Sequence, residues 1–258
     1  MIGILDSGVG GLLFMKKFIK FFPKLDMVYL GDLKNFPYGQ KSDSAILEFT
    51  EKNLLTLWDK KVQIIIITCH TISSIALKTL QKKYPDKIIL GVHDFCVEKL
   101  IKTVGNIGII GTQSMIKTNF YVKKIQNKNP DRKIFQVDTP LLLPLIEENL
   151  GKKPYTRKII KTYVRYLKDA RTRVLFLACS VYPHVIRVFK HIMGTQVSII
   201  NPNEVLLNAV TKYFAENQEI TQKLSTQGKQ IFFTTDSPER FMEVGKIFFG
   251  KIDKVEKC

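Results

Sequence analysis

Two cysteines close runs of aliphatic residues, Cys69 after Ile64-Ile65-Ile66-Ile67-Thr68 and Cys179 after Val174-Leu175-Phe176-Leu177-Ala178. A thiol near neutrality can be turned into a thiolate, a competent proton acceptor, with modest help from its surroundings. Two such thiols at the ends of two buried strands suggest chemistry done from opposite sides of a single substrate atom. Cys96 has no comparable setting and reads as a buried filler, and Cys258 is a chain end without a prenylation pattern. The four cysteines show no zinc-type spacing, so no metal is expected and free thiols are.

A third feature is the loop Asp6-Ser7-Gly8-Val9-Gly10-Gly11, which follows Ile2-Gly3-Ile4-Leu5. Its glycines let the backbone approach a ligand, and amides at a helix start can hold a carboxylate. The spacing is not that of a dinucleotide fingerprint, so no nicotinamide cofactor is implied. Asp6 reads either as a helix cap or as a carboxylate that orients or exchanges a proton with a thiol.

The elements that must position these groups follow from hydrophobic period. Short apolar runs alternate with longer amphipathic stretches, the pattern of βαβ units around a mainly parallel sheet flanked by helices. Strands are expected at 2–5, 27–30, 62–67, 88–92, 107–110, 174–177, 197–200 and 230–234. Helices are expected at 11–22, 44–60, 73–83, 115–125, 141–150, 156–169 and 238–249. Phe14, Phe18 and Phe21 on the first of these helices read as core. Ile2 to Gly8 is echoed by Ile107-Gly108-Ile109-Ile110-Gly111-Thr112-Gln113, and the cysteine strands sit at matching distances behind the two copies. This points to two similar α/β domains with the active site in the cleft between them, a favoured place for small-molecule sites.

Composition sets the outer bounds. With 258 residues and 45% hydrophobic content the chain can build one large domain or two modest ones. Met1 leads directly into a strand, with no signal-peptide pattern, and the apolar runs are too short to span a bilayer. A cytoplasmic location and no membrane partner are expected. The net charge of +17 raises nucleic acid as a partner, but 33 of the 40 basic residues are lysines, spread over most of the chain. Arginine is the usual grip for phosphate and base edges, so a solvated lysine surface is expected instead. The charge could also steer a small anionic substrate.

Several blocks in order make the chain resemble the glutamate racemases, of the aspartate/glutamate racemase superfamily. They are Asp6 to Gly11; Gly31-Asp32 with Pro37-Tyr38-Gly39 and Lys41-Ser42; Cys69 with Thr71; Thr139-Pro140 to Glu147; Cys179 with Tyr182-Pro183; and Phe233 to Phe241. The resemblance implies cofactor-independent interconversion of L- and D-glutamate, supplying D-glutamate for peptidoglycan, by an isomerase that is expected to be a homodimer. It implies two similar α/β domains, residues 1–96 with 206–258 and an inserted 97–205. Cys69 and Cys179 would be the proton-transfer pair, with Asp6 and Glu147 assisting. Asp6, Ser7, Tyr38, Gly39, His70, Thr71, Ser180 and Val181 would line the substrate's seat.

Ser180 replaces a threonine and keeps the hydroxyl, but two other positions depart from the family pattern in ways that bear on the chemistry. Val181 stands where a histidine normally follows the second cysteine by two residues, and valine cannot carry a proton; loss of such assistance costs about a hundredfold or more unless something substitutes. His184, three residues on, could in principle reach the site, but a solvent-facing histidine at a helix start is the expectation. His70 replaces an asparagine and is bulkier, though an imidazole still donates a hydrogen bond. His93 and His191 read as structural, and Thr139, often cysteine in the family, as a quiet substitution. The alternatives are a racemase of the superfamily with another amino acid or much reduced activity, and a non-catalytic basic binding protein on the same scaffold.

Overall fold

Runs that are apolar at every position must be covered on both faces, and in this chain they become parallel strands. The computed structural model describes residues 1–258. In chain order the strands are β1 (Ile2–Asp6), β2 (Met27–Gly31), β3 (Ile64–Ile67), β4 (Ile88–Gly91), β5 (Ile107–Gly111), β6 (Ile134–Asp138), β7 (Val174–Ala178), β8 (Ser198–Ile200), β9 (Gln230–Thr234) and β10 (Glu256–Lys257). They form two sheets, one in the order β10-β9-β2-β1-β3-β4 and one in the order β6-β5-β7-β8. Every pairing is parallel.

The suspected duplication is present in the topology. β2-β1-β3-β4 and β6-β5-β7-β8 share one strand order, so β5 occupies the place of β1 and β7 that of β3. Cys69 and Cys179 therefore follow equivalent strands. β9 adds to the free edge of β2, which returns the C-terminal segment to the first sheet.

Alternation along the strands divides the core. Ile2, Ile4, Tyr29, Ile64 and Ile66 face one apolar cluster, while Leu5, Val28, Leu30, Ile65 and Ile67 face another that includes Leu54 and Leu57 of helix 43–59. Phe14 and Phe18 are fully buried as expected, but Phe21 is 61% exposed. It occupies the last position of helix 12–21, where the chain leaves the core.

Several elements differ from the sequence-based expectation. β6 escapes the apolar-run criterion because it is an edge strand, half-buried along its whole length, and β10 is only two residues long. Helices 92–101, 186–193 and 202–216 were not expected. The helix expected at 115–125 is two, 113–117 and 120–126, broken where Asn119 takes a left-handed backbone. The one expected at 73–83 begins earlier, directly after Cys69, and breaks at Ala76 into 70–75 and 77–83. The helix expected at 141–150 runs only from 142 to 147, and Asn149 beyond it has φ +57°. No helix is long and apolar enough to cross a membrane.

Candidate active site

Open parallel sheets present ligands at the carboxyl ends of their strands, where loops and helix starts converge. Here the carboxyl ends of β1, β3 and β7 meet across the space between the two sheets. They enclose a cleft of about 390 Å³, counting the open space at its mouth. Cys69 and Cys179 both line it, one contributed by each sheet. Asp6, Ser7, Tyr38, Gly39, His70 and Thr71 line it from the first sheet's side, and Glu147, Ser180 and Val181 from the second's. All the sequence-predicted site residues thus come together in one cavity.

Asp6 ends β1, and its carboxylate holds the loop beyond it: Oδ1 accepts from the Gly8 amide at 3.1 Å and Oδ2 from the Thr68 hydroxyl at 2.6 Å. The helix at Leu12 has no side-chain cap, so the capping reading of Asp6 does not apply. Burial pushes the Asp6 carboxyl upward, opposed by the hydrogen bonds from Thr68, Gly8 and Ser180. Ser7 Oγ lies 3.2 Å from Cys69 Sγ. Cys69 precedes the first residue of helix 70–75, with extended backbone, which aims its side chain from the strand end into the cleft.

Both thiols are held neutral by their surroundings. Burial, reinforced by the charge of Asp6, pushes Cys69 up to about 11. Cys179 is also raised well above the ordinary thiol range, first by burial and then by Cys69, Asp6 and Glu147. Glu147 is itself pushed up to about 8 by burial and by Asp6, with Arg240 opposing the shift. Each thiol thus faces a carboxylate, and a positive charge entering the cleft would favour thiolates over thiols.

The two departures have clear structural consequences. Val181 is buried, and an atom built on Gly10 would lie 2.7 Å from its Cγ1, so valine fills the cleft wall tightly. His184 sits in the short helix 182–185, half-buried with its ring edge-on to Phe248 at 5.3 Å. It is therefore neither solvent-facing nor part of the cleft lining. His70 is fully enclosed, and burial lowers it to about 3, so the ring is neutral and cannot activate a thiol as a cation. Its Nδ1 is 2.8 Å from Tyr121 Oη, while Nε2 has no partner. His93 is buried and stacks on Phe120, as a structural histidine would. Cys96 is fully buried and pushed up by that burial, which keeps it inert. The Thr139 hydroxyl donates to the Gly111 carbonyl and pairs with Tyr182 Oη.

Sequence reasoning missed residues that complete the cleft. Thr112 lines it and shares a 3.0 Å hydrogen bond with Thr71, joining the halves. It is the counterpart of Ser7 in the repeated segment, so the duplication itself held the signal. Phe36 and Leu143 add apolar wall. Asp32, fully buried, accepts hydrogen bonds from Tyr38 Oη, Asn53 Nδ2, Asn35 Nδ2 and Thr235 Oγ1. Tyr38's hydroxyl is therefore committed to Asp32, and the residue meets the cleft through its ring and backbone. No group of three or more His, Cys, Asp or Glu is arranged to hold a metal ion.

Comparison with known proteins agrees with this geometry. Residues 28–210 match the family model described as Asp/Glu/Hydantoin racemase. A glutamate racemase of Lactobacillus helveticus is 33% identical over 98% of this chain and 94% of that protein. The chain belongs to the glutamate racemase family. It is accordingly an amino-acid racemase, an isomerase. A crystal structure of glutamate racemase from Francisella tularensis in complex with D-glutamate superposes with a TM-score of 0.91 at 28% identity, covering 99% of this chain and 96% of that one. A glutamate racemase isoform from Bacillus anthracis gives the same TM-score at 27% identity, covering 100% of this chain and 97% of that one.

Proposed function

We propose that this racemase interconverts L- and D-glutamate without a cofactor, using Cys69 and Cys179 as the two proton-transfer groups. The observation that carries the proposal is that both thiols open onto one cleft from opposite sheets. In the forward step one sulfur, as thiolate, takes the α-proton, and the carbanion so formed receives a proton from the S–H of the other on its opposite face. The first sulfur ends protonated and the second ends as thiolate, so the roles exchange when the reaction runs backward.

The substrate itself supplies an activation that the cleft's own side chains do not. Its α-ammonium brings a positive charge beside Asp6 and Glu147, which opposes the burial and, after it, the carboxylates that hold both thiols neutral. Asp6 then acts beside Cys69. Glu147 takes the place of the missing histidine beside Cys179, because a carboxyl near 8 can both hold and release a proton at neutral pH. Ser7, Gly39, Thr71 and Ser180 present polar groups to the amino acid, and Tyr38 and Val181 shape its pocket. His70, neutral, lines the cleft and has a buried Nε2 with no partner within the protein.

The same reading places the enzyme in the cytoplasm as a homodimer that provides D-glutamate for peptidoglycan. It divides the chain into a discontinuous domain of residues 1–96 and 206–258 and an inserted one of 97–205. A second reading, a racemase for another acidic amino acid, is favoured by the bulk of His70 where the family has asparagine. Chiral chromatography after incubation with L-glutamate, and in parallel with L-aspartate, tests both. D-glutamate is expected; D-aspartate alone supports the second reading, and neither product contradicts both.

A further inference from the structure

Lysine is spread along the chain, but the net charge is not. Residues 152–190 hold eleven basic side chains and one acidic one, Asp169, so they carry +10 of the chain's +17. Five of the seven arginines lie here: Arg157, Arg165, Arg171, Arg173 and Arg187. All eleven basic residues are exposed, and none takes part in an ion pair.

Helical geometry gathers this charge onto one face. In helix 154–169 the stripe Thr156, Ile160, Val164 and Leu167 is buried. At about 100° per residue, Arg157, Lys158, Lys161, Arg165 and Lys168 fall within a sector of about 100° beside that stripe. Lys168 Nζ donates to the Ile192 carbonyl at 3.1 Å, which sets the sector beside helix 186–193 and its exposed Arg187 and Lys190. Tyr155 and Tyr166, three turns apart on one line of the same helix that flanks the basic sector about 60–80° beyond its edge, are 47% and 55% exposed. The active-site cleft uses none of these side chains.

We propose that this two-helix face binds an anionic phospholipid surface, with helix 154–169 lying along the headgroups. Its lysines and arginines match the charge of such a surface, and amphipathic tyrosines settle at headgroup depth. A nucleic-acid duplex fits less well. Two packed helices side by side are about 20 Å across, too broad for a major groove of about 12 Å. The exposed positions of helix 154–169 also hold no Asn, Gln or Ser to read base edges. The occupant is thus a charged plane met from the side. The expectation of no membrane partner, drawn from the lack of a spanning segment, does not extend to this kind of contact.

The test is co-sedimentation of the full-length protein with phosphatidylglycerol/phosphatidylcholine vesicles, with pure phosphatidylcholine vesicles and a random DNA duplex in parallel. Binding is expected only to the anionic vesicles, and it should weaken as salt shortens the reach of the charges. Each basic residue near such a surface changes partitioning about fivefold, so R157Q, K161Q and R165Q together should lower it on the order of a hundredfold. K20Q, K24Q and K82Q together, removing the same charge from exposed sites around the first sheet, should lower it only a few-fold. Racemase activity retained in both variants shows that they are folded. Equal loss in the two variants, or no binding to anionic vesicles, overturns the proposal, and so does binding to the duplex alone.

Discussion

Gly10 lies against Ser180 and Val181 of the opposite half of the cleft, and adding one methyl there should disable the enzyme without unfolding it. A Cβ built at Gly10 lies 2.3 Å from Ser180 Oγ and 2.7 Å from Val181 Cγ1, against ordinary contact at 3.4 Å and beyond. The shortfall at Ser180 is about 1.1 Å, and neither neighbour is the far end of a long side chain that could swing aside. Gly10 belongs to the loop after β1, whereas Ser180 and Val181 follow β7, so the strain opens the cleft. Proton transfer depends on near-contact geometry, and a misplacement of about 1 Å costs on the order of a hundredfold. Gly10→Ala should therefore lower kcat about a hundredfold or more in a chiral assay of glutamate racemisation. Its thermal unfolding should stay close to that of the parent protein, because relief of the clash needs only separation of the halves. A variant with kcat within a few-fold of the parent would refute this account of the closed cleft.

Two further outcomes follow from the titrating groups. Glu147 is held near 8 in the folded chain against an ordinary 4.5, so the native state binds the extra proton. Its contribution to stability is complete below about pH 4.5 and is lost as pH rises through 8, with a slope of at most about 1.4 kcal/mol per pH unit. Denaturant titrations across this window should show the slope in the parent and its loss in Glu147→Gln, which should also slow racemisation; an unchanged slope contradicts the placement of Glu147. Cys69, near 11, should be alkylated at neutral pH on the order of a hundredfold more slowly than a free thiol, as read by peptide mass mapping. Rapid labelling of Cys69 in the absence of substrate would contradict its burial beside Asp6.

Much of the site was legible because strand ends are marked by chemistry. Ile64 to Ile67 and Val174 to Ala178 announce buried strands by composition alone, and the cysteines beyond them fall at positions where a parallel sheet exposes its reactive groups. The duplicated segment predicted the facing halves, and equivalent strand orders carry it through the fold. Tertiary context hid the rest. Asp32 is held by Asn35 and Tyr38 nearby in sequence but also by Asn53 and Thr235 from distant segments, which no local pattern reveals. β6 reads weakly because an edge strand with half-buried residues lacks the apolar run of its central neighbours. The break at Asn119 depends on a left-handed backbone that asparagine permits but does not require. The charge of residues 152–190 is concentrated already in the sequence, but only the packing of helix 154–169 beside helix 186–193 gathers it onto one face.

The central claim is that two sulfurs serve opposite faces of one carbon, and isotope transfer in heavy water tests it most directly. With L-glutamate as substrate, early D-glutamate should carry α-deuterium while the remaining L-glutamate keeps its hydrogen, because the accepting and donating thiols hold separate protons. D-glutamate that retains the original hydrogen would mean one group serves both faces, and the two-thiol account would be wrong.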